Sequence, residues 1–267
     1  MADLTAMVEG IGLLGPGLDG WASSAAVLVG GSPYISRPTV LPMPEGLPPA
    51  ERRRLGRVVR LALVVGQQAV AKAGVEAATL PSVFSSSGGD GDNCHEICEA
   101  LSRDEKSISP TRFHNSVHNA AAGYWSIATG ARAASNALCA FDASFGAGLL
   151  ESVTQVVVDR TRVLLVAYDA QYPSPLFAKR PIPDAFGVAM VLAPDGLSSR
   201  AMARLSISVS DCAPERMTDP LLETVRISIP AARSLPLLRR LALGGSAVVH
   251  IDYLGTTTLA VEIDPCA

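Results

Sequence analysis

The sequence predicts an α/β layered fold with a mixed central sheet and helices on both faces. Three observations carry this reading. Near-continuous apolar runs at Arg162 to Tyr168 and Phe186 to Leu192 read as strands buried on both faces. Leu55, Val59, Ala62, Gly66, Ala69 and Ala73 recur at the three- and four-residue spacing of a helix face. Strands alternating with such helices build a sheet that is covered on both sides.

Taken in order, Met7 to Leu14 reads as a strand running into a turn at Gly15-Pro16-Gly17. Ser32 to Pro49, rich in proline and poor in periodic apolars, reads as irregular chain. A long helix is expected from about Pro49, where a first-turn proline loses no N–H bond, with Gly74 placed to close it. Leu80 to Ser86 alternates like a strand and ends in the turn Ser86-Ser87-Gly88-Gly89-Asp90-Gly91. A short helix is expected around Asn93 to Leu101, then a helix from Ser109-Pro110 to Gly130. Asn136 to Phe141 reads as a short strand, followed at once by a buried small-residue helix from Ala143 to Val158. The tail predicts a strand at Ala203 to Val209, a helix at Ala231 to Leu243, and a strand pair at Ala247 to Tyr253 and Thr257 to Ile263.

At 267 residues, with 48 % apolar and 18 % charged residues, the chain is long enough to bury a large core without disulfide or metal staples. It shows no repeat and no clear linker, which predicts one domain over residues 1–267. Lys and Arg number 22 against 25 Asp and Glu, and the longest basic block is Arg52-Arg53-Arg54. A nucleic-acid partner is therefore not expected. Five cysteines form an odd, sparse set, as in a reducing compartment. No signal peptide and no apolar run of membrane-spanning length is apparent, so a soluble cytoplasmic protein is expected.

The sharpest chemical feature is the strand–turn–helix Ala137-Leu138-Cys139-Ala140-Phe141-Asp142-Ala143-Ser144-Phe145-Gly146. Such an elbow presents one side chain at a helix N-terminus, where free N–H groups and the macrodipole favour an anion. Nucleophilic Ser and Cys enzymes use it for that reason. Here the elbow residue is Asp142, a poor acyl acceptor that reads as a helix cap. Cys139 on the strand reads as a small core hydrophobe, with an active enzyme using Cys139 as the alternative. Ser144 lacks the first glycine of a Gly-x-Ser-x-Gly hydrolase elbow. Cys94, Cys98, His114 and His118 fall within zinc-finger spacing. The stretch between them lacks the pattern of a ββα finger, so the cysteines read as a buried helix face, the histidines as a polar helix edge, and no metal is expected. Tyr124 and Trp125 read as core.

Ser109-Pro110-Thr111-Arg112-Phe113-His114-Asn115-Ser116-Val117-His118-Asn119-Ala120-Ala121-Ala122-Gly123 resembles the β-ketoacyl synthase segment before the active site, with its Ser-Pro, Asn and Ala-Gly landmarks. It leads without a gap through Gly130-Ala131-Arg132 to the elbow. Val8-Glu9-Gly10-Ile11-Gly12, Ala73-Gly74-Val75 and Val163 to Tyr168 fit the same family's N-terminal half. The resemblance implies a thiolase-like fold, with residues 1–195 like the ketosynthase N-terminal half and residues 196–267 a shortened C-terminal part.

By that register Asp142 occupies the family's nucleophilic cysteine position. The two catalytic histidines are also absent, since His95, His114, His118 and His250 all lie in other contexts. The chain therefore resembles a chain length factor, the subfamily that has lost its cysteine and pairs with an active ketosynthase. Its short form, with Phe-Asp-Ala-Ser-Phe at the elbow, resembles the subunits of aryl polyene pathways. The resemblance implies no catalytic residue and no cofactor. It implies a catalytic ketosynthase partner and, through the complex, an acyl carrier protein. Asn136, Ala137, Phe141 and Phe145 would belong to the interface and tunnel, as would Arg112 and Phe113 on a loop reaching over the two-fold axis.

Overall fold

The computed structural model describes residues 4–197 and 200–266. The strands are β1 (Leu4–Gly15), β2 (Leu18–Asp19), β3 (Ser82–Ser85), β4 (Ser135–Leu138), β5 (Val163–Asp169), β6 (Phe186–Ala193), β7 (Ala203–Ser210), β8 (Ala247–Asp252) and β9 (Thr258–Pro265). The helices are α1 (Trp21–Leu28), α2 (Pro49–Arg52), α3 (Arg57–Ala73), α4 (Gly91–Ser102), α5 (Pro110–Asn115), α6 (Ala120–Thr129), α7 (Ser144–Asp159), α8 (Leu176–Lys179), α9 (Pro220–Ser228) and α10 (Leu235–Leu243).

All nine strands form one mixed sheet, ordered β4-β3-β5-β6-β1-β7-β9-β8, with β2 folded back onto the end of β1. Parallel pairing is confined to β4–β3–β5, and the other pairs are antiparallel. Both β5 and β6 are buried along their whole length, as their continuous apolar runs predict. Alternation along β5 feeds two cores. Val163 and Leu165 pack with Leu149, Val153 and Val156 of α7, in a layer completed by α1, α9 and α10. Leu164, Val166 and Tyr168 face the opposite layer, with Leu61 and Val65 of α3 and Trp125 of α6.

The approach of α3 to the sheet is set by glycines. A Cβ on Gly10 would run into the Ala69 carbonyl oxygen, and one on Gly12 into that of Val65. The contact is tight enough for the Leu13 N–H to donate to the Gln68 Oε1 at 3.0 Å.

Several boundaries differ from expectation for local reasons. The helix expected from Pro49 is two, because Gly56 interrupts it where the Asp90 carboxylate presses against the backbone. The helix expected from Ser109 to Gly130 breaks between α5 and α6. There Asn115 donates to the Arg54 carbonyl and accepts from the Tyr124 hydroxyl, while His118 reaches the Ser86 carbonyl. These tertiary bonds outweigh the helical register. The strand expected to reach Phe141 ends at Leu138, and Phe141–Ala143 form a 3₁₀ turn. The helix expected from Ala231 starts at Leu235, after a 3₁₀ segment at Pro230–Ser234. The expectations include neither α1 nor α9. Among the described residues no helix is long and apolar enough to cross a membrane.

Candidate functional site

The elbow stands at one edge of the sheet, because β4 pairs with β3 alone. Ser135, Asn136 and Ala137 are exposed there, and the Asn136 side chain is held by Glu151 at 2.9 Å. Beyond β4 the chain turns sharply, with Phe141 at φ 52°, a conformation few non-glycine residues adopt. The turn is closed by Ser144, whose Oγ accepts from the Ala140 N–H and donates to the Phe141 carbonyl. Ser144 is buried, and the capping expected of Asp142 is not made: the N-cap position of α7 is Ala143, and no side chain caps the helix. The Ser144 hydroxyl is committed to the backbone, which removes the case for a serine nucleophile.

The carboxylate of Asp142 turns away from the helix to two arginines. Arg180 Nη2 lies 2.6 Å from Oδ1, and Arg233 Nη2 lies 3.3 Å from Oδ2. The Arg180 guanidinium also sits over the Phe141 ring, 3.9 Å from its centroid. The chain of charge continues from Arg233 to Asp252, then to Arg226 at 2.9 Å and on to Glu223 at 2.8 Å. A cleft of about 400 Å³ opens beside it, lined by Phe141, Asp142, Arg233, Asp252 and Leu254 among others. Local reading could not find this network, since Arg180 and Arg233 lie 38 and 91 residues from Asp142.

Behind the elbow, the Ser86-Ser87 turn ties the neighbouring elements together. The Ser87 carbonyl accepts from the Cys139 thiol, and the Ser86 carbonyl faces His118 Nε2 at 3.2 Å. Asp169, at the end of β5, accepts from the Ser87 N–H and Oγ and from the Ala231 N–H. Complete burial pushes its carboxyl up to about 6, against the opposing effect of those donors and of Arg180. Between the ordinary carboxylate value and 6, the folded chain therefore holds a proton that the unfolded chain releases. This group's stabilising contribution is full below the ordinary carboxylate value and is lost as pH rises from there through 6, by ~3 kcal/mol in all. The stability of the wild type relative to Asp169→Asn, measured by urea unfolding at pH 4 to 7, should fall by that order. A flat difference would show that Asp169 does not titrate in this window.

The expected site residues divide. Phe113 is 69 % exposed and Phe141 63 % exposed, so neither belongs to this chain's own core. Arg112 lies beside Phe113 on α5. Its guanidinium pairs with Glu96, and its carbonyl accepts from Asn93. Phe145 is a correction: it is 1 % exposed and packs inside the core with Leu149 and Val153, so it presents nothing to a partner. Cys139, Cys94 and Cys98 are exposed, not buried as their residue type suggested. His114 packs edge-on to Tyr124, whereas His118 lies beyond the end of α5, so the pair shares no helix edge. Among the described residues no group of three or more His, Cys, Asp or Glu is placed to hold a metal ion. Tyr124 and Trp125 are core residues, as expected.

Comparison with solved structures places this architecture among ketosynthases. A ketosynthase in complex with its chain length factor from Xenorhabdus doucetiae matches with TM-score 0.73 at 23 % identity, covering 97 % of this chain and 99 % of that one. The ishigamide ketosynthase/chain length factor matches with TM-score 0.73 at 13 % identity, covering 98 % and 100 %. A type II PKS acyl-carrier protein in complex with its ketosynthase bound to the hexaketide matches with TM-score 0.74 at 12 % identity, covering 98 % and 99 %. At these identities the likeness is one of fold, the thiolase-like ketosynthase fold. No curated protein matches the sequence. The family description "Beta-ketoacyl synthase, N-terminal domain" matches residues 30–234, well over half of the chain and spanning the elbow, Arg180 and Arg233. With the fold and that match in agreement, this chain belongs to the β-ketoacyl synthase family.

Proposed function

We propose that the chain is a chain length factor, non-catalytic by itself, that pairs with an active β-ketoacyl synthase and shapes its acyl tunnel. The whole chain acts as one ketosynthase-like domain, with residues 196–267 as its shortened C-terminal part. The partner performs decarboxylative condensation on chains carried by an acyl carrier protein, in aryl polyene-type elongation in the cytoplasm. The observation that carries this reading is Asp142, a carboxylate bound to two arginines at the place where the resemblance puts the family's cysteine. A carboxylate so held cannot become the thioester through which a ketosynthase works.

The surface around the elbow supports a partner. The free edge of β4, with exposed Asn136 and Ala137, is an open row of backbone donors and acceptors that proteins normally cover. Phe113, Val117, Phe141 and Leu254 are each more than half exposed, so their apolar surface is open for a partner to cover. The three solved complexes above have similar folds, and each is described as a ketosynthase with a chain length factor or a carrier protein.

Co-expression with a catalytic ketosynthase partner should give a co-purifying complex, with an interface above about 2,000 Å². Intact-mass measurement after incubation with an acyl-carrier thioester should place the acyl group on the partner and none on this chain. An adduct mapped to Cys139 would overturn the reading in favour of an active acyltransferase.

A further inference from the structure

The two arginines at the elbow are held in an unusual state. Both are about four-fifths buried, and both Nε atoms are buried without a hydrogen-bond partner. Buried guanidinium groups with unused donors depend on counter-charge for their place in the fold. Arg233 is salt-bridged to two carboxylates, Asp142 and Asp252, whereas Arg180 is salt-bridged to Asp142 and otherwise only feels the charge of the buried Asp169. The two arginines approach separate oxygens of that one carboxylate, as a fork receives a planar anion.

We infer that Arg180 and Arg233 form a carboxylate-binding pair at the elbow, occupied in this chain by its own Asp142. The inference deepens the non-catalytic reading proposed above and rests on it. The position that accepts an acyl group in the family is then closed by an internal anion, besides lacking sulfur. The same pair positions the surroundings. Arg180 is anchored by Asp142 and by the Phe141 ring, and it ends the segment carrying exposed Leu176 and Phe177. Arg233 carries the constraint to Asp252 at the end of β8. Asp142 is on this account a positioning residue whose carboxylate can be replaced by a free one.

The test is chemical rescue in the full-length chain. Asp142→Ala should lower the melting temperature by about 5 °C, since it removes the carboxylate salt-bridged to Arg180. Sodium formate should restore at least half of that loss at concentrations that leave the wild type unmoved. Sodium chloride at the same ionic strength should not, because screening lacks the planar two-oxygen geometry. Adding Arg180→Gln to Asp142→Ala should abolish the formate effect. No loss of stability, or equal rescue by chloride and formate, would overturn the assignment. If Asp142→Ala yields no folded protein, a double-mutant cycle of Asp142→Asn and Arg180→Gln decides. Shifts that fail to add support the pair, and additive shifts overturn it. An acyl adduct on Cys139 would sink the non-catalytic reading while leaving the rescue result to stand or fall by itself.

Discussion

Ala137→Arg should abolish co-purification with the ketosynthase partner while leaving this chain folded. The side chain of Ala137 is exposed on the outermost strand of the sheet, so an arginine there meets water in the isolated subunit. Exposed substitutions of this kind change stability by only about ±0.5 kcal/mol. Once a partner covers β4, the same guanidinium becomes a buried charge without a counter-ion, at a cost of about 3–5 kcal/mol. That is roughly a hundredfold to several-thousandfold in affinity, enough to empty the complex at ordinary working concentrations. Phe113→Ala provides the contrast. It should keep the complex and the melting temperature, because Phe113 packs in no core of its own, and it should change the length of the polyene product. Pull-down of Ala137→Arg at wild-type stoichiometry would remove β4 from the interface. An unchanged product mass for Phe113→Ala would remove its assignment as a tunnel residue.

Gly12→Ala should cost more stability than any surface change considered above. The added methyl would overlap the Val65 carbonyl oxygen, a backbone atom of α3 that cannot rotate away. Relief requires lifting α3 off β1, and those two elements share one of the most extensive contacts in the molecule, at the centre of the sheet. Overpacking against flexible side chains costs about 1–3 kcal/mol, and against rigid backbone the value should exceed that range. A loss of melting temperature of about 10 °C, or failure to express as soluble protein, is the expected result of a thermal scan. A melting temperature within about 2 °C of wild type would mean that the Val65 carbonyl does not lie against Gly12.

How much of this was legible before folding depends on how local each feature is. The strands β5 and β6 were readable because burial on both faces demands an unbroken apolar run, which survives in the sequence as such. The helix α3 was readable from its periodic face and from Gly74, whose φ of 67° closes it. The helix α9 also carried a local signal. Asp219 accepts from the N–H groups of Leu221 and Leu222, and Pro220 stands at the first helical position, an Asp-Pro start that spacing alone would find. By contrast α1 begins at Gly20 with no side-chain cap and no acidic first turn, so nothing local announces it.

The same division runs through the site. The sequence by itself determined the elbow: a short strand, a tight turn and a small-residue helix, with Asp142 where a nucleophile would be expected. It also held the information that corrects Phe145, because Phe145, Leu149, Val153 and Val156 recur at helical spacing and so share the buried face of α7. Only the tertiary structure decided what Asp142 does. An aspartate before a helix can cap it or pair with a cation, and the choice turned on two arginines arriving from distant segments, which leaves α7 without a side-chain cap. The exposure of Cys139 and the breaks around Gly56 and Ser116 were settled the same way, by bonds between residues far apart in the chain. Periodicity records which face of an element is buried, because burial repeats with the backbone. Charge pairing between distant segments leaves no such record, because an ion pair such as Asp142–Arg233 follows from where two segments meet and from nothing in either one alone.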